Sequence, residues 1–131
     1  MATLLLTHRA CLAHDPGDFH PECPDRLRAV LKALDRQEFT PLIRGEAPEA
    51  TAEQLCRVHS RSCPTIIETS SRKKAAGETV QIDADTAMSH GSAEAALRAA
   101  GAAVAAVDAV CGGEVRRAFC ATRPPGHHAE P

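Results

Sequence analysis

Apolar and polar positions alternate along this chain in patterns that change every few dozen residues, and each pattern predicts an element. Thr3 to Thr7 (TLLLT) is a short continuous apolar run followed by His8 and Arg9, which suits a strand buried on both faces of a sheet. Ala10 to Pro24 has no period and holds three of the nine prolines, so a loop follows. From Pro24 the spacing turns helical: Leu27, Val30, Leu31 and Leu34 form one stripe, with Arg28, Lys32 and Asp35 outside it. Pro24 fits a first helical turn and Asp25 places negative charge near the N-terminus, predicting a helix to about Gln37. Leu42 and Ile43 suit a brief extended piece before Gly45. Thr51-x-x-Gln54 is a capping box that opens a short helix carrying Leu55, Cys56 and Val58 and stopping near His59.

The second half is less even. Pro64 suits a turn of helix through Ile66, Ile67 and Glu68, and Ser70 to Lys74 reads as a solvated connection. Thr79 to Asp83 (TVQID) alternates, over too short a run to define a strand by itself. The best-defined element is an Ala-rich helix from about Ser92 to Cys111, with Leu97, Ala100, Val104, Val107 and Cys111 expected on its inner side. Gly112-Gly113 closes it where a left-handed residue is wanted. Val115 to Thr122 then reads as a strand, with Arg123-Pro124-Pro125-Gly126-His127-His128 at its C-terminal end. Strand, helix, helix, strand is the order of a parallel α/β sheet, in which ligands bind beyond the C-terminal ends of the strands.

Composition narrows the possibilities. The hydrophobic fraction is 44%, but 25 of those residues are Ala, whereas Leu, Ile, Val and Phe together number 24 and Trp and Tyr are absent. Large side chains are thin for a self-contained core, so poor independent stability and membership of a larger domain are expected. Fifteen Lys plus Arg against 17 Asp plus Glu give a net charge of -2, which argues against nucleic acid or an anionic membrane as the partner. No segment reads as a signal peptide or a membrane span, because Arg98 and Asp108 break even the Ala-rich stretch. The six cysteines contain no Cys-x-x-Cys, so free thiols in a cytoplasmic protein are expected rather than a disulfide framework or zinc knuckle.

The residues with most chemical potential are His127 and His128. Pro124 and Pro125 constrain the path into the turn and Gly126 allows a close bend, so the imidazoles are presented from stiff backbone. A histidine pair near neutral pH can divide labour, one moving a proton and the other stabilising charge. Elsewhere, on the residues alone, Asp85 reads as a helix-approach or turn carboxylate and Arg26 as a solvated or salt-bridged helix residue. His20 and His59 read as structural residues of a loop and a helix end, and the spacing of His8, His14, His20 and His90 does not suggest a metal site.

The segment Phe119-Cys120-Ala121-Thr122-Arg123-Pro124-Pro125-Gly126-His127-His128-Ala129 resembles the di-histidine motif of the histone deacetylase family, whose bacterial members include acetylpolyamine amidohydrolases and acetoin-utilisation proteins. His20-Pro21-Glu22-Cys23-Pro24-Asp25-Arg26-Leu27, Val58-His59-Ser60, Asp83-Ala84-Asp85-Thr86 and the Ala-rich helix are similar, in order, to further motifs of its class II-like branch. The resemblance implies an α/β fold class, the N-terminal part of the parallel-sheet arginase/deacetylase-like fold, over residues 1–131. It implies zinc-dependent hydrolysis of an N-acetyl amide, with His128 as general base and acid and His127 as the electrostatic partner. Asp85 corresponds to a rim aspartate that holds the substrate backbone, and Arg26 to an arginine lining the internal cavity.

Zinc is the expected cofactor of the complete enzyme, and an acetylated protein or acetylated small amine its expected substrate. In the family the metal ligands and a carbonyl-polarising tyrosine follow the di-histidine motif, so this chain is expected to carry half of the constellation, no metal ligands and little activity alone. Cys63 stands where relatives commonly carry an aromatic residue, and Ser62 to Gly77 is atypical. The alternative from another class is a stand-alone, non-catalytic remnant or binding module.

Overall fold

The structure, a computed structural model, describes residues 2–72, 78–127 and 129. Its centre is β1 (Thr3–Thr7), flanked in parallel by β2 (Ile43–Glu46) and β5 (Arg117–Cys120), giving the sheet order β2-β1-β5. Leu4, Leu5 and Leu6 lie opposite Ile43, Arg44 and Gly45 on one side and Ala118, Phe119 and Cys120 on the other. Because both neighbours are parallel, each must be reached by a crossover, and helices supply them. The expected parallel α/β arrangement is observed.

Successive side chains of a strand face opposite ways, and the two cores follow that alternation. Leu5, 1% exposed, packs with Leu27, Leu31 and Leu34 of α1 (Pro24–Leu34) and with Cys11 and Ala121. Leu4 and Leu6 face the other way, against Ala47 and Ala102, Ala105 and Ala106 of α4 (Ser92–Cys111). The helices therefore cover opposite faces of the sheet. Gly101 is where α4 comes closest: a Cβ there would lie 2.0 Å from the Pro48 carbonyl oxygen. Ala50 N–H donates to the Leu97 carbonyl at 2.9 Å beside it.

Several expectations need correction. The helix expected to reach Gln37 stops at Leu34, and Gln37–Phe39 forms a separate 3-10 turn. Val30, counted in its inner stripe, is exposed. The inner face of α4 is Ala95, Gly101, Ala102 and Ala109, whereas Val107 is 60% exposed and Cys111 is also exposed. Alanine is small and abundant all round this helix, so its best-packing face allows the shortest approach and need not carry its largest residues. Gly113, at φ 76, is the left-handed residue after α4; Gly112, at φ -72, is still helical. The last strand spans only Arg117–Cys120.

The capping box of α2 (Ala52–Leu55) forms reciprocally, with Gln54 N–H donating to Thr51 Oγ1 at 3.1 Å and Thr51 N–H donating to Gln54 Oε1 at 2.9 Å. That helix ends at Leu55, and turns carry the chain through His59, whose N–H donates to the Leu55 carbonyl. α3 (Cys63–Arg72) continues through Ser70 and Ser71, so that part of the expected connection is helical; 73–77 lie outside the described residues. The alternating segment forms β3 (Val80–Gln81), paired antiparallel with β4 (Ala87–Met88) in a tight hairpin. Among the described residues no helix is long and apolar enough to cross a membrane. The six cysteines are free thiols.

Candidate active site

The strand order reverses at β1, since β2 and β5 lie on its two sides, and ligand crevices of open α/β sheets form at such a reversal. The C-terminal ends of β1 and β5 are joined by Ala121 N–H donating to the Leu6 carbonyl at 2.8 Å and Thr7 Oγ1 donating to the Ala121 carbonyl at 2.7 Å. The loops leaving those two ends carry most of the motif residues.

The loop after β1 begins with His8, whose Nδ1 accepts from Ala10 N–H at 3.1 Å and caps the 3-10 helix Arg9–Leu12. Further on, His20 accepts Glu22 N–H on Nδ1 at 3.1 Å. Its remaining nitrogen, Nε2, therefore carries the proton and donates to the Asp85 carbonyl at 3.1 Å. Asp85 sits at the exposed tip of the β3–β4 hairpin, its N–H donating to Asp83 Oδ1 at 2.8 Å in an Asx turn. Two motifs separated by 65 residues are thus joined by one imidazole.

The loop after β5 begins with Arg123, only 3% exposed. Its Nε and Nη2 each donate at 2.8 Å to one oxygen of the Glu22 carboxylate, a bidentate pair across 101 residues of chain. Nη1 donates to the Cys11 carbonyl at 2.8 Å and also to the His14 carbonyl. Pro124, after a cis Arg123–Pro124 bond, and Pro125 lead to Gly126 at φ 78 and to the exposed turn residue His127. Positive φ is a conformation that glycine adopts without strain, so the bend at Gly126 suits its residue. His128 lies outside the described residues.

Behind this pair, the buried His14 has Nε2 facing Glu22 Oε2 at 3.5 Å and Nδ1 2.6 Å from Ser92 Oγ at the start of α4. A carboxylate opposite Nε2 favours the proton there, so Nδ1 accepts from the Ser92 hydroxyl. Ser92 Oγ accepts Ser89 N–H at 2.7 Å, and Ser89 Oγ accepts Asp15 N–H at 3.0 Å, tying the loop after β1 to the N-terminal turn of α4. Burial, reinforced by the Arg123 charge, lowers the His14 pKa and keeps the ring neutral. Burial alone would raise the Glu22 pKa, but the Arg123 hydrogen bonds and charge outweigh it and hold the carboxyl below its ordinary range.

Arg26 is exposed in the first turn of α1 and lines an open cleft with Glu22, Leu27, Val30, Phe119 and Thr122. The structure brings the His20 loop, the Asp85 hairpin, Arg26 and the approach to His127 to one end of the sheet. His59 follows α2. Arg123, Glu22, His14, Ser89 and Ser92 were not expected to act together, because arginine is ordinarily a surface residue and nothing in its local sequence marks its burial. Among the described residues no three His, Cys, Asp or Glu side chains come together to hold a metal ion, so these residues do not fit a zinc site.

Comparison with known proteins gives a consistent result. The histone deacetylase domain family matches residues 20–131. The chain is 34% identical to the Type-2 histone deacetylase 2 of Dictyostelium discoideum, over 97% of this chain and 9% of that protein. It is 34% identical to a probable deacetylase of Archaeoglobus fulgidus, over 100% of this chain and 36% of that one. It is 36% identical to the histone deacetylase-like amidohydrolase of Pseudomonas aeruginosa, over 86% of this chain and 29% of that protein. Among solved structures, the HDA15 HD domain superposes with a TM-score of 0.88 at 30% identity, covering 98% of this chain and 36% of that one. The chain spans no more than 36% of the length of any of these proteins. The α/β fold, the convergence of ordered motifs at one end of its sheet and the family match agree: this chain belongs to the histone deacetylase family.

Proposed function

We propose that the protein of which this chain is at least a part is a zinc-dependent deacetylase that hydrolyses an N-acetyl amide on an acetylated protein or a small acetylated amine. The observation that carries this reading is the meeting of the His20–Glu22 loop, the Asp85 hairpin tip and the Arg123–His127 turn at the ends of β1 and β5. In the proposed reaction water adds to the acetyl carbonyl carbon, the C–N bond breaks, and acetate and the free amine leave. His128 takes the proton from water and returns it to the departing nitrogen, while His127 stabilises the negative charge that develops on the carbonyl oxygen. Asp85 accepts hydrogen bonds from the substrate backbone at the rim, and Arg26 lines the cleft below.

Zinc would supply Lewis-acid activation of the amide and would be held by residues other than those described here. The test is acetate release from an acetyl-lysine peptide and from an acetylated polyamine by the protein as its cell makes it, with and without a chelator. Release that is abolished by the chelator and by His128→Ala is expected. No release from either probe with zinc supplied would overturn the reading and leave the non-catalytic binding module as the alternative.

A further inference from the structure

We propose that Arg123 and Glu22 form a positioning pair that sets the turn carrying His127 against the Asp85 hairpin. The inference rests on the deacetylase reading and adds to it residues that do not touch the substrate. Arginine has five N–H donors, and Arg123 uses four of them in a buried site: two on Glu22 and one each on the Cys11 and His14 carbonyls. Its guanidinium is thereby clamped to the loop after β1 at three separate points. The clamp is stiffly linked to the chemistry, because only Pro124, Pro125 and Gly126 separate Arg123 from His127. Proline fixes φ and donates no hydrogen bond of its own, so this segment is oriented by its ends.

Glu22 is the second half of the device. Its carboxylate holds Arg123, while its backbone N–H holds His20, which in turn holds the Asp85 carbonyl. A continuous series of bonds therefore runs from the hairpin tip through His20 and Glu22 to Arg123, at the start of the turn that carries His127. The alternative assignment, a pair that only stabilises the fold, would leave the geometry of the turn to the prolines. A positioning role predicts a different signature: the side-chain pair governs the chemical step, and the His20 bond governs substrate capture.

The test uses the protein as its cell makes it, with Arg123→Lys, Glu22→Gln and His20→Ala. Lysine has three donors around one nitrogen and cannot keep the bidentate bond and both carbonyls, whereas Glu22→Gln preserves shape and the backbone bond to His20. Arg123→Lys and Glu22→Gln are each expected to lower kcat, per folded molecule, by about 100-fold with KM changed less than about twofold, the scale of a small misplacement of catalytic groups. His20→Ala is expected to raise KM with kcat nearly unchanged. Should Arg123→Lys fail to fold, the isosteric Glu22→Gln carries the test.

A kcat per folded molecule within about twofold of wild type in either soluble clamp variant, with only the melting temperature lowered, would overturn the inference. If the unmodified protein releases no acetate, the deacetylase reading fails separately. Amide hydrogen exchange then decides the positioning claim: faster exchange over 121–127 with unchanged protection of β1 and α4 supports the clamp, and unchanged exchange over 121–127 overturns it.

Discussion

The sheet with its two helices and the loops at its C-terminal end are held together by different physics. Around β1 the contacts are apolar: Leu5 meets the leucines of α1, Leu6 meets Ala47 and Ala102, and α4 approaches so closely at Gly101 that no side chain fits. At the loop end, Arg123, Glu22, His14, Ser89 and Ser92 form a seam of directional bonds between segments up to 109 residues apart. The loop after β1 has little apolar surface to bury; Phe19, its one aromatic residue, is fully exposed. Apolar packing tolerates small slides, whereas a bidentate guanidinium–carboxylate pair fixes an angle as well as a distance. The approach to His127 is held by the second kind of contact, and the framework needs only the first.

The contrast can be broken by mutation. The largest effect is expected for Arg123→Met, which leaves the largely buried Glu22 carboxylate without its partner and should cost about 4 kcal/mol in urea unfolding. A loss below about 1 kcal/mol would show that the seam does not hold the loops. Leu5→Ala should cost about 3 kcal/mol by removing apolar burial and leaving a cavity against α1, measured the same way. Gly101→Ala should cost about 2 kcal/mol, because the new Cβ meets backbone atoms of Pro48 and Ala50 rather than a movable side-chain end. A neutral result would mean that the loop at Pro48 yields easily and the close approach is not a tight one.

The smallest effect is a slope with pH. His14 lies below the ordinary histidine value of 6.5, so the unfolded chain takes up a proton that the fold refuses. Its contribution is complete above that value and is lost as pH falls through it toward the lower folded value. Glu22 lies below its ordinary 4.5, so its contribution is present above that value and disappears at still lower pH. Both terms have the same sign, and stability should fall on acidification, first over the His14 range. His14→Asn should flatten the upper part of that slope in urea midpoints; an unchanged slope would place its cause elsewhere.

Much of the framework could be read locally. The continuous apolar run of β1, the stripe of α1, the Thr51–Gln54 cap and the glycine stop after α4 each depend on neighbours a few residues away. The misjudged details share a cause: where a segment's own periodicity is weak, its neighbours choose. Alanine on every face of α4 leaves its inner side to be selected by the sheet, and the hairpin that presents Asp85 has strands of two residues each, too short for alternation to define them. The turn carrying His127 was legible at a strand end, and the motif residues around it were legible as a family resemblance.

By itself, then, the sequence determined the order of the main strands and helices, the leucine stripe of α1, and the placement of His127 beyond a parallel strand, because each is a property of short-range spacing. Only the tertiary structure decided that Arg123 would find Glu22, that His14 would find Ser92, and that His20 would hold the Asp85 hairpin. The first of these follows from the pairing of β1 with β5, Leu6 opposite Cys120, which sets two distant loops side by side, whereas the other two tie the loop after β1 to the start of α4 and to the β3–β4 hairpin. Hydrogen bonds are specified by position in space, and a linear spacing of residues does not contain that information until the sheet has assembled.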